Sequence, residues 1–271
     1  DRNFPSVIFW SLGNESGYGS NHVAEFKLMK QLDNRIIHYE GATNAGKNDV
    51  TELWSQMYPS IEGSSKPIKS EANSNWAAQP YFMCEYDHAM GNSLGNLQEY
   101  WDVIESSKYG IGGCVWDWVD QAIVSADDIK AGNLTQNGFN KYRTGYDWPD
   151  APHQGNFVNN GIIGADRAWS AKLDELKKVY QYIKFTYNAG NNSVALNNCY
   201  DFTTLGSGYT LNAQILVDGK QVAKGSTTLP TIAVRHMFCA VGCLVLGGSG
   251  VVVIAPTGIV PFLFVAPAVV G

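Results

Sequence analysis

The chain has 271 residues, 45% of them hydrophobic and 12% aromatic, which is enough to bury a large core in one or two domains. Its formal net charge of -6 comes from acidic residues spread along the chain, so the sequence lacks the basic field that holds nucleic acid or anionic lipid. The five cysteines are odd in number and irregularly spaced, which argues against a disulfide framework. We therefore expect a globular protein that binds neither nucleic acid nor a membrane.

Short apolar runs alternate with amphipathic stretches from residue 6 to about residue 120. The strand candidates are residues 7–10, 36–39, 51–58, 81–84 and 113–116, and helix candidates lie at 22–32 and 94–106. This alternation is typical of βα units around a parallel sheet. About five strands are too few to close an eight-stranded barrel, so the pattern predicts an α/β domain with only part of such a barrel.

A long irregular segment follows these units. Residues 120–166 are rich in Gly, Asn, Asp, Tyr and Trp and have little periodicity, which is typical of a functional loop. A helix is predicted at 171–181. After residue 185 the pattern changes to alternating strands, as at 211–217 before an Asp-Gly turn, and indicates the start of a β-sandwich domain.

The end of the chain differs from the rest. Residues 237–271 contain no charged side chain and are mostly Val, Ala, Gly, Leu, Pro and Phe. The apolar length would suffice for a membrane helix, but three prolines oppose a single spanning helix. The composition favours a shift of reading frame soon after Pro230 over a genuine membrane segment. We predict a barrel part at 1–184, the start of a sandwich domain at 185–230 and an atypical apolar tail at 231–271.

Two glutamates directly follow apolar strands. Glu15 lies in the segment SLGNESG at 11–17, and Glu85 opens the segment EYDHAMGN at 85–92. Barrel enzymes place their catalytic groups at the carboxyl ends of such strands, so the two carboxylates can face each other there. Glycoside hydrolysis needs such a pair, one protonated to help the leaving group and one ionised to attack or stabilise the sugar.

Glutamates at strand ends have a simpler interpretation as well, because most are solvated or paired with a nearby Lys or Arg. The neighbouring residues favour the functional interpretation. Asn14 precedes Glu15, and Tyr86, His88 and Asn92 follow Glu85. These neutral groups suit sugar hydroxyls and leave carboxylate charges unquenched.

The segments SLGNESG at 11–17 and CEYDHAMGN at 84–92 resemble the two catalytic signatures of β-galactosidases in glycoside hydrolase family 2. The segment GGCVWDWVDQ at 112–121 resembles the last barrel strand of that family, and NFVNNG at 156–161 resembles the loop beyond it. The order and spacing of these segments also resemble those of the family over roughly residues 1–230. The resemblance implies about strands four to eight of a (β/α)8 TIM barrel, followed by the start of an all-β immunoglobulin-like sandwich.

The resemblance also implies roles for individual residues. Glu15 would be the acid/base at the end of barrel strand four, and Glu85 the nucleophile at the end of strand seven. The enzyme would cleave terminal β-D-galactosides, such as lactose, with retention. The implied substrate-binding residues are Asn14, Tyr58, His88, Trp116 and Asn160. For Trp116, predicted as a stacking platform, packing in the core is the alternative.

Metal sites follow from the same resemblance. A Mg²⁺ would be held partly by Glu15, and a Na⁺ partly by the carbonyl of Phe157 and the side chain of Asn160, with further ligands upstream. Hard cations with oxygen ligands fit these residue types, and no organic cofactor is expected. Two positions depart from the family. Asp87 replaces a small residue and is expected to point away from Glu85, and Tyr18 replaces a more usual histidine.

Other functions stay open at this stage. A β-glucuronidase or β-mannosidase would belong to the same family, but a glucuronidase needs a basic contact for the sugar carboxylate, and no candidate lies near the motifs. The alternative from another class is an inactive fragment that cannot close its barrel. Family members form homo-oligomers, which we expect of the intact protein. A cytoplasmic location is predicted, with the periplasm as the alternative.

Overall fold

The computed structural model describes residues 1–64, 79–123, 126–130, 142–188, 193–240 and 251–257. The chain divides into two compact units, Asp1–Val179 and Tyr180–Gly271. The division falls five residues before the domain boundary that the sequence predicts at 184.

The first unit contains five short strands that alternate with helices. The strands are β1 Phe9–Ser11, β2 Ile36–His38, β3 Trp54–Met57, β4 Tyr81–Tyr86 and β5 Gly110–Val115. Strand β1 pairs with β2, and β3, β4 and β5 pair in that order, all in parallel. The predicted βα units and parallel pairing are therefore confirmed.

The helices are α1 Ser20–Leu32, α2 Glu40–Asn44, α3 Leu97–Glu105, α4 Ala126–Lys130 and α5 Ala171–Val179. Helix α3 begins three residues later than predicted because Asn96 stands in the left-handed region, at a φ of 59°. Helices α3 and α5 each bury two apolar side chains, as amphipathic helices beside a sheet do.

Strand β3 is shorter than the predicted strand at 51–58. Thr51 donates from Oγ1 to the Leu53 carbonyl at 2.9 Å, a local bond that competes with strand pairing. At the other end, Tyr58 has a φ of 47°, which terminates the extended backbone. Both ends of β3 are therefore set by local geometry that apolar patterning does not reveal.

The predicted long loop is irregular over most of its described residues. It contains the short helix α4 and one 3-10 turn, Gly145–Asp147. Single bridges join Val119 to Ile163 and Ile123 to Arg143, so the loop returns to the end of the parallel strands. Residues 124–125 and 131–141 lie outside the described residues.

The second unit is built from strands. They are β6 Ile183–Asn188, β7 Ser193–Asn198, β8 Thr210–Val217, β9 Lys220–Thr228, β10 Met237–Ala240 and β11 Val251–Thr257. They form two antiparallel sheets, in the orders β10-β7-β6 and β11-β8-β9. Asp218 and Gly219 both have positive φ at the predicted hairpin turn. The described residues of this unit contain strands and no helix, and its immunoglobulin-like topology stays a prediction.

The apolar tail contributes two of these strands. Strand β10 pairs antiparallel with β7, and β11 pairs antiparallel with β8. Residues 241–250 and 258–271 lie outside the described residues, so the predicted frame shift is not tested. Across the ranges that the structure describes, no helix has the length and apolar character needed to cross a membrane.

Candidate active site

Polar loops leave the carboxyl ends of the parallel strands. Tyr58 follows β3 directly, Glu85 is the last residue but one of β4, and Trp116 follows β5. Since β3, β4 and β5 are parallel neighbours, these three residues emerge at one edge of the sheet. Glu15 follows β1 at the matching end of its own sheet.

Tyr58 and Glu85 are joined twice. The Tyr58 N–H donates to the Glu85 carbonyl at 2.8 Å, and the Tyr58 hydroxyl donates to Oε2 of the Glu85 carboxylate, also at 2.8 Å. A register shift after Gln56 pairs Met57 with Glu85 and brings Tyr58 alongside. The strand register therefore fixes one oxygen of the carboxylate and leaves Oε1 free of this bond.

The state of the Tyr58 hydroxyl follows from its surroundings. Burial raises the pKa of Tyr58, and the hydrogen bond to Glu85 and the charges of Glu85 and Glu15 raise it further. A tyrosine with a raised pKa stays protonated at neutral pH, so it remains a hydrogen-bond donor. Tyr58 is thus a permanent partner of the Glu85 carboxylate.

Glu15 is held in another way. It is exposed, in a turn where its own φ is 47° and that of Gly17 is 73°. No described side chain donates a hydrogen bond to its carboxylate. Its charge nevertheless raises the pKa of Tyr58 and of Glu40, as does the charge of Glu85. Glu15 and Glu85 therefore act electrostatically on the same two residues.

Glu40 is a third carboxylate that the sequence analysis missed. It follows β2, is 5% exposed, and accepts a hydrogen bond from Asn44 Nδ2 at 2.6 Å. Burial raises its pKa, the Asn44 bond opposes this, and the charges of Glu15 and Glu85 raise it further. The signal was present, because Glu40 also follows an apolar strand directly, as an acid at a strand end.

His88 lies between two aromatic rings at the rim of the site. Its ring centroid is 5.8 Å from that of Tyr58 and 5.5 Å from that of Phe157. The N–H of Met90 donates to His88 Nδ1 at 3.3 Å, so in the neutral ring the proton is on Nε2. Tyr58 and Phe157 are 44% and 45% exposed, which leaves this aromatic rim open to solvent.

Trp116 and Asn160 contact each other. In the orientation that satisfies the Asn160 amide, its oxygen accepts from Trp116 Nε1 at 3.2 Å and its nitrogen donates to the Val158 carbonyl at 3.3 Å. Asn160 is 1% exposed, whereas Trp116 is partly exposed. The bond from Trp116 Nε1 to Asn160 therefore helps to fix the orientation of the tryptophan ring. The contact of Asn160 with sugar stays a prediction, as does that of the exposed Asn14 beside Glu15.

Lys172 on α5 links the loops that carry His88 and Asn160. Its Nζ donates to the carbonyl of Ala89 and, at 2.9 Å, to that of Gly161. The Gly161 N–H donates to Asp120 Oδ1 at 2.7 Å. Burial lowers the pKa of Lys172, and the charge of Asp120 opposes that effect. Local sequence patterns do not indicate this contact, which spans 83 positions.

Asp87 and Tyr18, the two positions that depart from the family pattern, each form a side-chain hydrogen bond. Asp87 accepts a hydrogen bond from the Gly95 N–H at 3.0 Å, and burial raises its pKa. Its carboxylate thus bonds toward the turn before α3, in line with the expectation that it points away from Glu85. The Tyr18 hydroxyl donates to Asp49 Oδ2 at 2.6 Å, and this bond raises the pKa of Tyr18.

The described residues supply only part of each predicted metal site. Within the described ranges, no three His, Cys, Asp or Glu side chains are grouped as a metal site. Glu15 would supply one Mg²⁺ ligand only, and the amide oxygen of Asn160 is engaged by Trp116 Nε1. These residues do not complete either site by themselves. Both metals stay predictions.

Comparison with known proteins gives consistent matches. Residues 1–185 match the family described as "Glycosyl hydrolases family 2, TIM barrel domain". A β-galactosidase from Priestia megaterium is 36% identical over 232 residues, which cover 84% of this chain and 21% of the relative. A β-galactosidase from Kluyveromyces lactis is 37% identical over 206 residues, which cover 75% of this chain and 19% of the relative.

The chain spans about a fifth of the length of these curated relatives. Among solved structures, an FMN-binding β-glucuronidase from Facaelibacterium prausnitzii L2-6 superposes on 94% of this chain and 40% of its own, with a TM-score of 0.41 and 17% identity. The family assignment rests on the sequence matches. Because the family model matches residues 1–185, more than half of the chain, the chain belongs to glycosyl hydrolase family 2 and contains part of its TIM barrel domain.

Proposed function

We propose that this chain carries the catalytic carboxylates of a retaining β-galactosidase, with Glu85 as nucleophile and Glu15 as acid/base. The observation that carries the proposal is the pair of bonds from Tyr58 to Glu85, with the charge of Glu15 acting on the same tyrosine. Relatives named β-galactosidase support a galactoside as substrate.

The first step forms a glycosyl ester. Oε1 of Glu85 attacks the anomeric carbon, the bond from that carbon to the leaving oxygen breaks, and Glu15 gives its proton to that oxygen. Because the Tyr58 hydroxyl donates to Oε2, Oε1 is the carboxylate oxygen that remains to form the bond. In the second step water attacks the anomeric carbon while Glu15 takes its proton, and Glu85 leaves as a carboxylate.

The surrounding residues would bind the sugar. His88 has its protonated Nε2 available as a donor to a hydroxyl group, and Trp116 offers a partly exposed ring whose N–H is already satisfied by Asn160. Flat rings of this kind pack against the apolar face of a sugar. Asn14, beside Glu15, would contact the hydroxyl next to the reacting carbon. A Mg²⁺ site that includes Glu15, and a Na⁺ site that includes Phe157 and Asn160, remain part of the proposal.

The nucleophile can be tested by covalent labelling. The experiment uses the intact enzyme, meaning a polypeptide that joins this chain to the barrel strands that precede it in the family. A 2-fluoro galactoside with a good leaving group slows the second step and should leave its sugar on Glu85, as read by peptide mass spectrometry. A stable adduct on another carboxylate would overturn the assignment.

The acid/base role has its own test. Glu15→Gln should lower kcat/KM for a galactoside with a poor leaving group by about 10²- to 10⁴-fold. The loss for a 2,4-dinitrophenyl galactoside should be much smaller, because that leaving group needs no proton. Equal losses on the two substrates would contradict acid catalysis by Glu15.

A further inference from the structure

Tyr39 is fully buried at the end of β2 and contacts the turn that carries Glu15. Its hydroxyl donates to the carbonyl of Gly17, and its oxygen is 2.8 Å from Ser16 Oγ. A phenol has one hydrogen to donate, and that hydrogen goes to Gly17. Ser16 must therefore be the donor in the second bond, so the phenol is bonded to two successive residues after Glu15.

His22 extends this network. Its Nε2 is 3.2 Å from Ser16 Oγ, and its ring stacks on that of Tyr39, with centroids 4.4 Å apart and planes 18° apart. Because the Ser16 hydrogen is used toward Tyr39, His22 Nε2 must donate to Ser16. The bonds therefore run in one direction, from His22 through Ser16 and Tyr39 to the Gly17 carbonyl.

The turn needs this support because of its backbone. Glu15 is a non-glycine residue at a φ of 47°, and Gly13 and Gly17 have φ values of 122° and 73°. Such a conformation is disfavoured for an L-residue and persists where its surroundings hold it. Since no described side chain bonds the Glu15 carboxylate, its direction depends on the turn.

Packing holds Tyr39 itself in place. A Cβ on Gly41 would lie 2.7 Å from Cζ of Tyr39 and 2.9 Å from the Gly17 carbonyl oxygen, so α2, the ring and the turn are in close contact. Leu12 and Tyr18, on either side of Glu15, pack against the buried cluster that contains Tyr39. The ring is therefore a fixed point from which the turn is held.

We propose that Tyr39 is a positioning residue for acid/base catalysis, acting through the Ser16–Gly17 turn on the direction of the Glu15 carboxylate. The proposal rests on the proposed role of Glu15. Tyr39 does not reach the substrate. Its removal should therefore affect proton transfer to the leaving group and spare the attack by Glu85.

The test is the leaving-group dependence of Tyr39→Phe in the intact enzyme. We expect kcat/KM to fall about tenfold for a poor leaving group and less than about twofold for a 2,4-dinitrophenyl galactoside, because one to two hydrogen bonds are lost without loss of packing. Tyr81→Phe is the matched control. Tyr81 is 1% exposed and its hydroxyl donates to Gln56 Oε1 at 2.9 Å, away from the Glu15 turn. In this control, kcat/KM should change by the same factor for both substrates.

Ser16→Ala provides a second variant that leaves the buried ring intact. It should show the same selectivity with a smaller loss, about threefold on the poor leaving group, because the bond from Tyr39 to Gly17 remains. If Tyr39→Phe does not fold, Ser16→Ala decides the question. Equal losses on the two substrates in the folded variant would overturn the positioning role.

Glu15→Gln, measured in the same series, separates this proposal from the proposed function. If Glu15→Gln shows no leaving-group dependence, the acid/base assignment fails and the role of Tyr39 fails with it. If Glu15→Gln shows the dependence but Tyr39→Phe behaves like Tyr81→Phe, the assignment of Glu15 stands and only the positioning role is overturned.

Discussion

Glu85 and Glu15 follow strands of the same kind, yet they are held in different ways. Glu85 lies within β4, and its carboxylate is bonded directly by Tyr58. Glu15 lies in an exposed turn beyond β1, and the bonds from Tyr39 reach the residues after it instead of its carboxylate. One group is fixed at its own oxygen and the other only through its backbone.

The difference matches what each group has to do in the proposed reaction. A nucleophile acts from one position as an ionised oxygen, so a permanent donor on its second oxygen helps it. An acid/base loses and regains a proton in every cycle, so a fixed donor on its carboxylate would favour one of its two states. Substitutions on the Glu85 side and on the Glu15 side should therefore affect catalysis in different ways.

The largest effect is expected from Glu85→Gln. The amide oxygen can still accept from Tyr58, so the change removes the nucleophile with little change in shape. In the intact enzyme, kcat should fall on the order of 10⁴- to 10⁶-fold on every galactoside, as for loss of a nucleophile elsewhere. Glu15→Gln, assayed with a 2,4-dinitrophenyl galactoside, is the control. A residual kcat within a hundredfold of the parent would show that Glu85 is not the attacking group.

Tyr58→Phe removes the hydroxyl that donates to the Glu85 carboxylate, which leaves Glu85 without this donor, as Glu15 is. Loss of a hydrogen bond to a charged group corresponds to roughly 10- to 100-fold in kcat. The loss should be similar for poor and good leaving groups, because the nucleophile acts on both. Steady-state kinetics with the same two substrates gives the comparison. Dependence on the leaving group would instead place Tyr58 with the acid/base.

Lys172→Met tests whether the bonds from Lys172 on α5 support the loops that carry His88 and Asn160. The variant leaves the carbonyls of Ala89 and Gly161 unpaired, which should lower the free energy of unfolding by about 1–3 kcal/mol and raise KM through His88. Urea unfolding and galactoside kinetics measure the two effects. Lys27→Met, an exposed lysine on α1, should change stability by less than about 0.5 kcal/mol. Similar results for the two lysines would remove Lys172 from the support of the site.

A further effect, on stability rather than activity, depends on pH and involves His38 at the end of β2. His38 is 8% exposed, its Nε2 is 2.7 Å from Ser55 Oγ, and its Nδ1 is 3.3 Å from Ser11 Oγ. Burial lowers the pKa of His38 from 6.5 to about 4. The unfolded chain therefore takes up a proton below pH 6.5 that the folded chain does not, and stability is lost as the pH falls from 6.5 toward 4.

At pH 5 this group should cost about 2 kcal/mol of stability relative to pH 7, by the usual conversion of pKa differences. His38→Gln keeps hydrogen-bonding atoms and removes the titration, so its urea midpoint should fall less between pH 7 and pH 5 than that of the parent. His236→Gln, at an exposed histidine, is the matched control for the loss of an imidazole ring. A parent and a His38→Gln variant with parallel pH profiles would contradict the buried, neutral histidine.

Much of the site could be predicted from local sequence. Glu15, Glu85 and Tyr58 come where apolar strands end, and the parallel arrangement of β3, β4 and β5 brings such ends to one edge. The limits of strands and helices were predicted less accurately, because Tyr58 and Asn96 adopt a positive φ that the apolar pattern does not reveal. The supporting contacts were not predicted. Tyr39 and Lys172 act on residues far from them in the chain.

The sequence by itself determined the family, the alternation of strands and helices, and the two carboxylates proposed for catalysis. These features depend on the order of residue types along short segments, and that order can be read directly. The tertiary structure alone decided that Tyr58 fixes Glu85, that Glu40 is buried near both carboxylates, and that Tyr39 holds the turn of Glu15. Such contacts join residues that only the strand register and the packing of loops bring together, so local sequence patterns do not predict them.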